Sequence, residues 1–301
     1  MHNLGLLILC FAAGMALRCS GRVPENGHAG LNAFIIHVSL PALILLHLQR
    51  VPLGVDVFAA AAIAWALFAL AAVFFLVVGR ATRMAPGTVG ALTLTAGLAN
   101  TSFVGIPMIE AFYGNGGVAL GLVIDQLGSY LALATVGILV AALYSGGRFS
   151  ARTVARKILT FPPLIAVVLA FALRPLAYAD WATSLLARLG DTLAPLALAS
   201  VGMQLRLGEV AGYRANLALG LAFKLVLAPG LLIALCSAAI GIEGPTTRIV
   251  LFEAAMAPMI GASIVAAEHK LDPPLTALMV GIGIPLSFVT VPLWWWVLER
   301  L

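Results

Sequence analysis

Residues 98–117 of the 301-residue chain read "LANTSFVGIPMIEAFYGNGG", placing Asn100, Thr101 and Ser102 between Gly97 on one side and Gly105 and Pro107 on the other. The first three side chains offer hydrogen-bond donors and acceptors, whereas Gly97, Gly105 and Pro107 oppose a continuous helix. Backbone unwound inside a lipid bilayer leaves polar groups that cost several kcal/mol each unless they face protein or a water-filled cavity. A helix that resumes after such a break begins with unpaired N–H groups and about half a positive charge, which suits an anion. A second stretch, "MAPMIGASIVAAEHKLDPPL" at 256–275, has the same character, with Pro258 and Gly261 loosening the backbone, Met259 between them and Ser263 adding a hydroxyl. The chemistry expected of the two together is binding of a small anion, with no bond made or broken.

Ionisable residues within apolar runs form the second group, since each costs at least about 2.5 kcal/mol at the bilayer centre. They are His37 in "FIIHVSLPAL", Asp125 with Gln126 in "LVIDQLGSYL", Lys224 in "LAFKLVLAPG" and Glu253 in "VLFEAAMAPM". Asp125 and Lys224 are expected to pair, each neutralising the other. Glu253 either binds Na⁺ or a proton, or sits as a solvated carboxylate near the outer end of its span. His37 is expected to be a hydrogen-bonded packing residue. Trp294, Trp295 and Trp296 lie at a span terminus and are expected to form an interfacial anchor.

The elements that must position these residues are membrane helices. The composition is 62% hydrophobic and 10% charged, with a mean hydropathy of +1.08, against about 25% charged residues in an ordinary soluble domain. Spans of about 20 apolar residues can be placed at 3–20, 28–48, 55–79, 88–112, 117–145, 162–179, 184–205, 214–240, 246–268 and 274–298. The run "LGLLILCFAAGMAL" lacks a preceding basic region and is expected to be a retained first helix rather than a cleaved signal. Eleven Lys and Arg fall in one set of loops (Arg18, Arg22, Arg80, Arg83, Arg148, Arg152, Arg156, Lys157, Arg206, Arg214 and Lys270) and five in the other, with Lys224 inside a span. The positive-inside rule then places both termini outside, in the periplasm of a bacterial inner membrane.

The net charge of +5 belongs to these loops and carries no nucleic-acid signal. Cys10, Cys19 and Cys236 show no metal-ligand or disulfide spacing. There is no HExxH, GxSxG or P-loop pattern, so neither an enzyme nor an ATP-driven pump is expected, nor any cofactor or metal.

A basic linker at 146–157 divides the chain into residues 1–145 and 158–301, five spans each. An odd number of spans per block inverts the second relative to the first, a common plan among secondary transporters. An offset of about 158 residues aligns the weak points of the fourth span of each block, and interrupted segments at matching places point to a binding site.

The stretch at 98–117 closely resembles the fourth-span signature of the auxin efflux carrier family: Asn-Thr, then Gly-Ile-Pro, then a Tyr-Gly turn, matched by Asn100, Thr101, Gly105, Ile106, Pro107, Tyr113 and Gly114. "HVSLPALIL" is similar to the family's second span, and Pro258 to its ninth-span proline. The resemblance implies inverted five-helix repeats with broken spans four and nine crossing at the substrate site. It also implies a scaffold of spans 1, 2, 6 and 7, a mobile transport domain of the other six, and a homodimer through the scaffold. Plant auxin carriers have Pro where this chain has Ala99, and a long loop where this linker is short; both differences favour a compact bacterial branch with small-carboxylate substrates such as malonate or malate. The expected function is thus a permease moving a small organic anion by elevator-type alternating access. The alternative is a Na⁺- or H⁺-coupled transporter of bile-acid-symporter type, in which Asp125 or Glu253 would serve the ion.

Overall fold

The computed structural model describes residues 2–24, 26–49, 55–146, 150, 152, 155–156, 159–204, 210–239 and 244–301. The basic linker expected at 146–157 lies largely outside the described residues, as do Arg50, Arg148, Lys157 and Arg206. Among the described residues the fold is all-helical. The helices are α1 (His2–Cys19), α2 (His28–Leu48), α3 (Val55–Thr82), α4 (Pro86–Gly97), α5 (101–113), α6 (Asn115–Ser145), α7 (Pro162–Ala172), α8 (Asp180–Gln204), α9 (Ala211–Ala238), α10 (Gly244–Ala254), α11 (Ile260–Glu268) and α12 (Pro273–Leu298).

Six of these, α2, α3, α6, α8, α9 and α12, are long and apolar enough to cross a membrane. The spans expected at 3–20 and 162–179 contain the shorter apolar helices α1 and α7. Those expected at 88–112 and 246–268 are interrupted: α4 stops at Gly97 before α5 begins, and α10 stops at Ala254 before α11 begins.

The helices are apolar on all sides because two different apolar media surround them. On α3, Ala71 and Phe75 are fully buried in protein while Val73 and Val77 are 62% and 60% exposed, on the face that lipid would cover. Small residues set the closest approaches. A β-carbon on Gly14 of α1 would collide with the Ala199 carbonyl of α8, and one on Gly202 of α8 with the Phe11 carbonyl of α1.

The helices pack in two groups. α1 lies along α8, and α2 packs against α7 and α8. In the other group α3 packs on α4 and α6, while α4 also meets α11 and α12, and α10 meets α3, α6, α9 and α12. The groups touch where α5 and the start of α6 press on α1, α2 and α8. A cleft of about 110 Å³ lies along this seam, lined by Leu43, His47, Ile106, Glu110, Gly190 and Asp191 among others.

Five stretches are wound more widely than an α-helix, as π-helical turns: Ile35–Ser39, Thr101–Gly105, Ile124–Tyr130, Leu133–Gly137 and Phe223–Leu227. Three of them end two residues before a proline, at Pro41, Pro107 and Pro229. Proline has no N–H for the regular ladder and its ring crowds the preceding turn, so the chain unwinds just ahead of it. Carbonyls released in this way need other donors. Leu225, four residues before Pro229, receives the indole N–H of Trp294 at 2.7 Å, and Leu127, within the third stretch, receives that of Trp65 at 3.1 Å.

The tryptophan run therefore differs from the expected interfacial anchor. Three consecutive helical residues point in directions about 100° apart, so Trp294 reaches inward to α9 while Trp296 is exposed and lies 3.5 Å under the Arg300 guanidinium. His37 hydrogen-bonds back to the Ala33 carbonyl of its own helix at 2.9 Å.

Candidate substrate site at the helix breaks

The two interrupted segments meet. Ala99 and Pro258 form a two-residue antiparallel bridge, with the Asn100 N–H donating to the Ala257 carbonyl at 2.8 Å and the Met259 N–H to the Leu98 carbonyl at 3.1 Å. Each chain supplies the partners that unwinding took from the other, which is how non-helical backbone is accommodated at membrane depth.

The break in the first segment lies at Leu98–Asn100, immediately after Gly97, which ends α4. Gly97 fits there because a β-carbon would press on Ala71 and Phe68 of α3. Gly105 and Pro107 fall in the helix that follows. The Gly105 N–H reaches back five residues to the Asn100 carbonyl at 2.9 Å, and Pro107 occupies the opening turn of regular helix behind it. These two residues widen the start of α5; they do not interrupt it. In the second segment Pro258 lies in the bridge, its ring against Gly283 of α12, and Met259 caps α11. Gly261 and Ser263 sit in the first turn of α11, where the Ser263 N–H donates to the Met259 carbonyl at 3.2 Å.

Asn100 caps α5, its side-chain oxygen accepting from the Phe103 N–H at 3.2 Å. Its amide nitrogen is buried and has no hydrogen-bond partner. Thr101 and Ser102, expected to face substrate, both donate their hydroxyl protons to Asp125 Oδ1 at 2.5 Å, and Gln126 Nε2 donates to Oδ2 at 2.6 Å. A buried carboxylate with three donors is well satisfied, and here it fastens the start of α5 to α6.

The expected pairing of Asp125 with Lys224 does not occur. Lys224, fully buried in the last π-helical turn, donates to the Ala254 carbonyl at 3.2 Å. It thereby serves an orphan carbonyl at the C-terminus of α10, the end of a helix dipole that favours a cation. Its charged neighbour is Glu253, the penultimate residue of α10. No spacing rule in the sequence joins 224 to 254, because the contact depends on how α9 packs beside α10.

Glu253 is 1% exposed, so it is not a solvated surface carboxylate, and neither of its oxygens has a hydrogen-bond partner. Its carboxylate lies where Gly105 and Gly121 lack side chains: a β-carbon on Gly105 would stand 2.5 and 2.7 Å from the two oxygens, and one on Gly121 3.4 Å from the nearer. The Gln126 side-chain oxygen and the Ser129 hydroxyl are also buried without partners. Buried polar groups are nearly always satisfied, so the orphaned atoms of Asn100 and Glu253, each at a helix break, stand out. The arrangement offers donors at Asn100 and at the starts of α5 and α11, behind which lies a layer of two carboxylates and one ammonium.

The sequence places these features in a known group. The family described as Membrane transport protein matches residues 1–149 and 146–295. An uncharacterized transporter of Methanothermobacter thermautotrophicus is 28% identical over 295 residues, covering 97% of this chain and 95% of its own. Another uncharacterized transporter, from Methanocaldococcus jannaschii, is 23% identical over 308 residues and covered to 97% on both sides. These relationships point to a transporter and not an enzyme. The chain is an integral membrane protein of the membrane transport protein family, the auxin efflux carrier family.

Proposed function

We propose that this protein is a secondary transporter of a small organic anion, a dicarboxylate such as malonate or malate, working by elevator-type alternating access. The observation that carries the proposal is the meeting of two broken segments at Ala99 and Pro258, with the unpartnered Asn100 amide beside them. An anion there would receive the Asn100 N–H groups and the positive ends of α5 and α11. Thr101 and Ser102 would act through Asp125, holding α5 in place, with Pro258, Met259, Gly261 and Ser263 shaping the opposite wall.

The six long helices, the shorter α1 and α7, and the interrupted segments α4–α5 and α10–α11 together make ten spans in this reading. The antiparallel bridge suits two inverted repeats, residues 1–145 and 158–301. The grouping of α1, α2, α7 and α8 suits a scaffold, and the seam they share with α5 and α6 suits a sliding surface. Both termini would lie outside the plasma membrane, the bacterial inner membrane in the case of a bacterial host.

The test is exchange of labelled malonate and malate by the purified protein in liposomes. Saturable exchange sustains the proposal. Absence of exchange with either compound, from protein shown to be folded, removes the substrate class.

A further inference from the structure

We propose that Glu253 takes up one proton together with the anion and releases it on the other side, making this carrier a proton–anion symporter. The inference rests on the anion-transporter reading above and adds the identity of its coupling ion.

The buried layer behind the helix breaks holds two carboxylates, Asp125 and Glu253, and one ammonium, Lys224. Asp125 has three donors and needs no further partner. Lys224 supplies one positive charge, which balances one carboxylate. Glu253, the carboxylate beside Lys224, is fully buried with neither oxygen hydrogen-bonded, and the layer as a whole keeps one negative charge in excess. Such a group calls for a cation or a proton.

The surroundings select the proton. The carboxylate is packed against Gly105 and Gly121, which approach so closely that a methyl group on Gly105 does not fit. Among the described residues no group of three acidic, His or Cys side chains could hold a metal ion. Lys224 is already the resident cation and would repel another. The charged groups acting on Glu253 are Asp125 and Lys224. Toward the start of α10 its own Arg248 pairs with Glu299 and acts on Tyr113 of α5, and α12 holds no ionisable residue.

The same geometry sets the direction of coupling. Gly105 is the fifth residue of α5, so the Glu253 carboxylate lies against the same helix that Asn100 caps. An ionised Glu253 would repel the anion through the low-dielectric interior. A protonated Glu253 would not, so proton and anion favour each other's binding. By linkage the effect is mutual, roughly 5- to 150-fold for couplings of the usual size. Anion affinity should therefore fall by such a factor as pH rises through the titration of Glu253. The proton neither forms nor breaks a bond to the substrate; it joins one carboxylate oxygen and leaves it after the site has moved.

The experiment uses the full chain in liposomes with labelled malonate and a trapped pH-sensitive dye. Exchange is measured with equal pH on both sides, and net uptake with the lumen made alkaline. The alkaline lumen is expected to accelerate wild-type uptake several-fold, and added malonate to acidify the lumen. In Glu253→Gln the ratio of gradient-driven to gradient-free uptake should fall to one. Exchange without any response to the gradient in wild type, or an equal response in Glu253→Gln, overturns the proposal. Absence of exchange by wild type removes the malonate reading instead. In that case infrared titration decides the proton site: a carboxylic-acid carbonyl band that titrates and is missing in Glu253→Gln sustains it, and no such band overturns it. If Glu253→Gln does not fold, Glu253→Asp replaces it, and an unshifted pH dependence of uptake in that variant counts against the proposal.

Discussion

Gly105→Ala makes the packing around Glu253 measurable. The added β-carbon would stand 2.5 and 2.7 Å from the carboxylate oxygens, closer than nonbonded atoms tolerate. The carboxylate is the far end of a flexible side chain, so it is what must shift. Overpacking of this kind costs roughly 1–3 kcal/mol. Alanine recovers up to about 1 kcal/mol over glycine within a helix, and residue 105 is inside α5. With a helix gain of about 1 kcal/mol subtracted, the net expectation is a loss of about 0–2 kcal/mol, which at roughly 2–4 °C per kcal/mol lowers Tm by at most about 8 °C. The assay is thermal unfolding of the purified protein in detergent, run as a double-mutant cycle with Glu253→Ala. In that background the clash is gone and only the helix gain remains, so Gly105→Ala should leave Tm unchanged or raise it. An equal effect of Gly105→Ala in both backgrounds would refute the assigned contact.

Three other substitutions test separate parts of the account by the same melting assay. Trp294→Phe removes the donor to the Leu225 carbonyl and should cost about 1–3 kcal/mol, the penalty for a buried polar group left unpaired; an unchanged Tm would mean that carbonyl has another partner. Asp125→Asn weakens the acceptor for Thr101 and Ser102 and should lower stability by at least the roughly 1.5–3 kcal/mol of one charge-assisted bond. Glu299→Ala breaks the Arg248–Glu299 pair at 3.2 Å, which is partly exposed, and should change stability by no more than about 1 kcal/mol; a larger loss would give that pair a structural role.

How much of the site was legible in the sequence depended on how local the cause was. Gly97 next to Asn-Thr-Ser announced a break, and the structure has one immediately after Gly97, because a helix end is decided by a few adjacent residues. Gly105 and Pro107 were read as part of that break but lie in the turn after it. Sequence alone does not separate a proline that ends a helix from one that a π-helical turn absorbs. Hydropathy placed the apolar segments, yet among the described residues six helices reach spanning length, since two segments are interrupted and α1 and α7 are shorter. The pairing of Asp125 with Lys224 failed for a different reason. Charge complementarity is a sound rule, but Asp125 found three neutral donors on α5 and α6, and Lys224 found the end of α10. Which partner is nearest is a property of packing. Trp294 was missed as a carbonyl donor on the same ground, although Pro229 did signal that a carbonyl on its helix would need one.

The central claim is that the unpartnered Asn100 amide at the bridge holds the substrate's negative charge. Its most direct test is labelled-malonate exchange by Asn100→Ala against wild type, with matched melting curves to establish folding. Loss of one hydrogen bond to a charged group is worth about 1.5–3 kcal/mol, so malonate affinity should fall roughly 10- to 150-fold. Wild-type exchange from a folded Asn100→Ala protein would contradict the claim and move the anion away from the helix breaks.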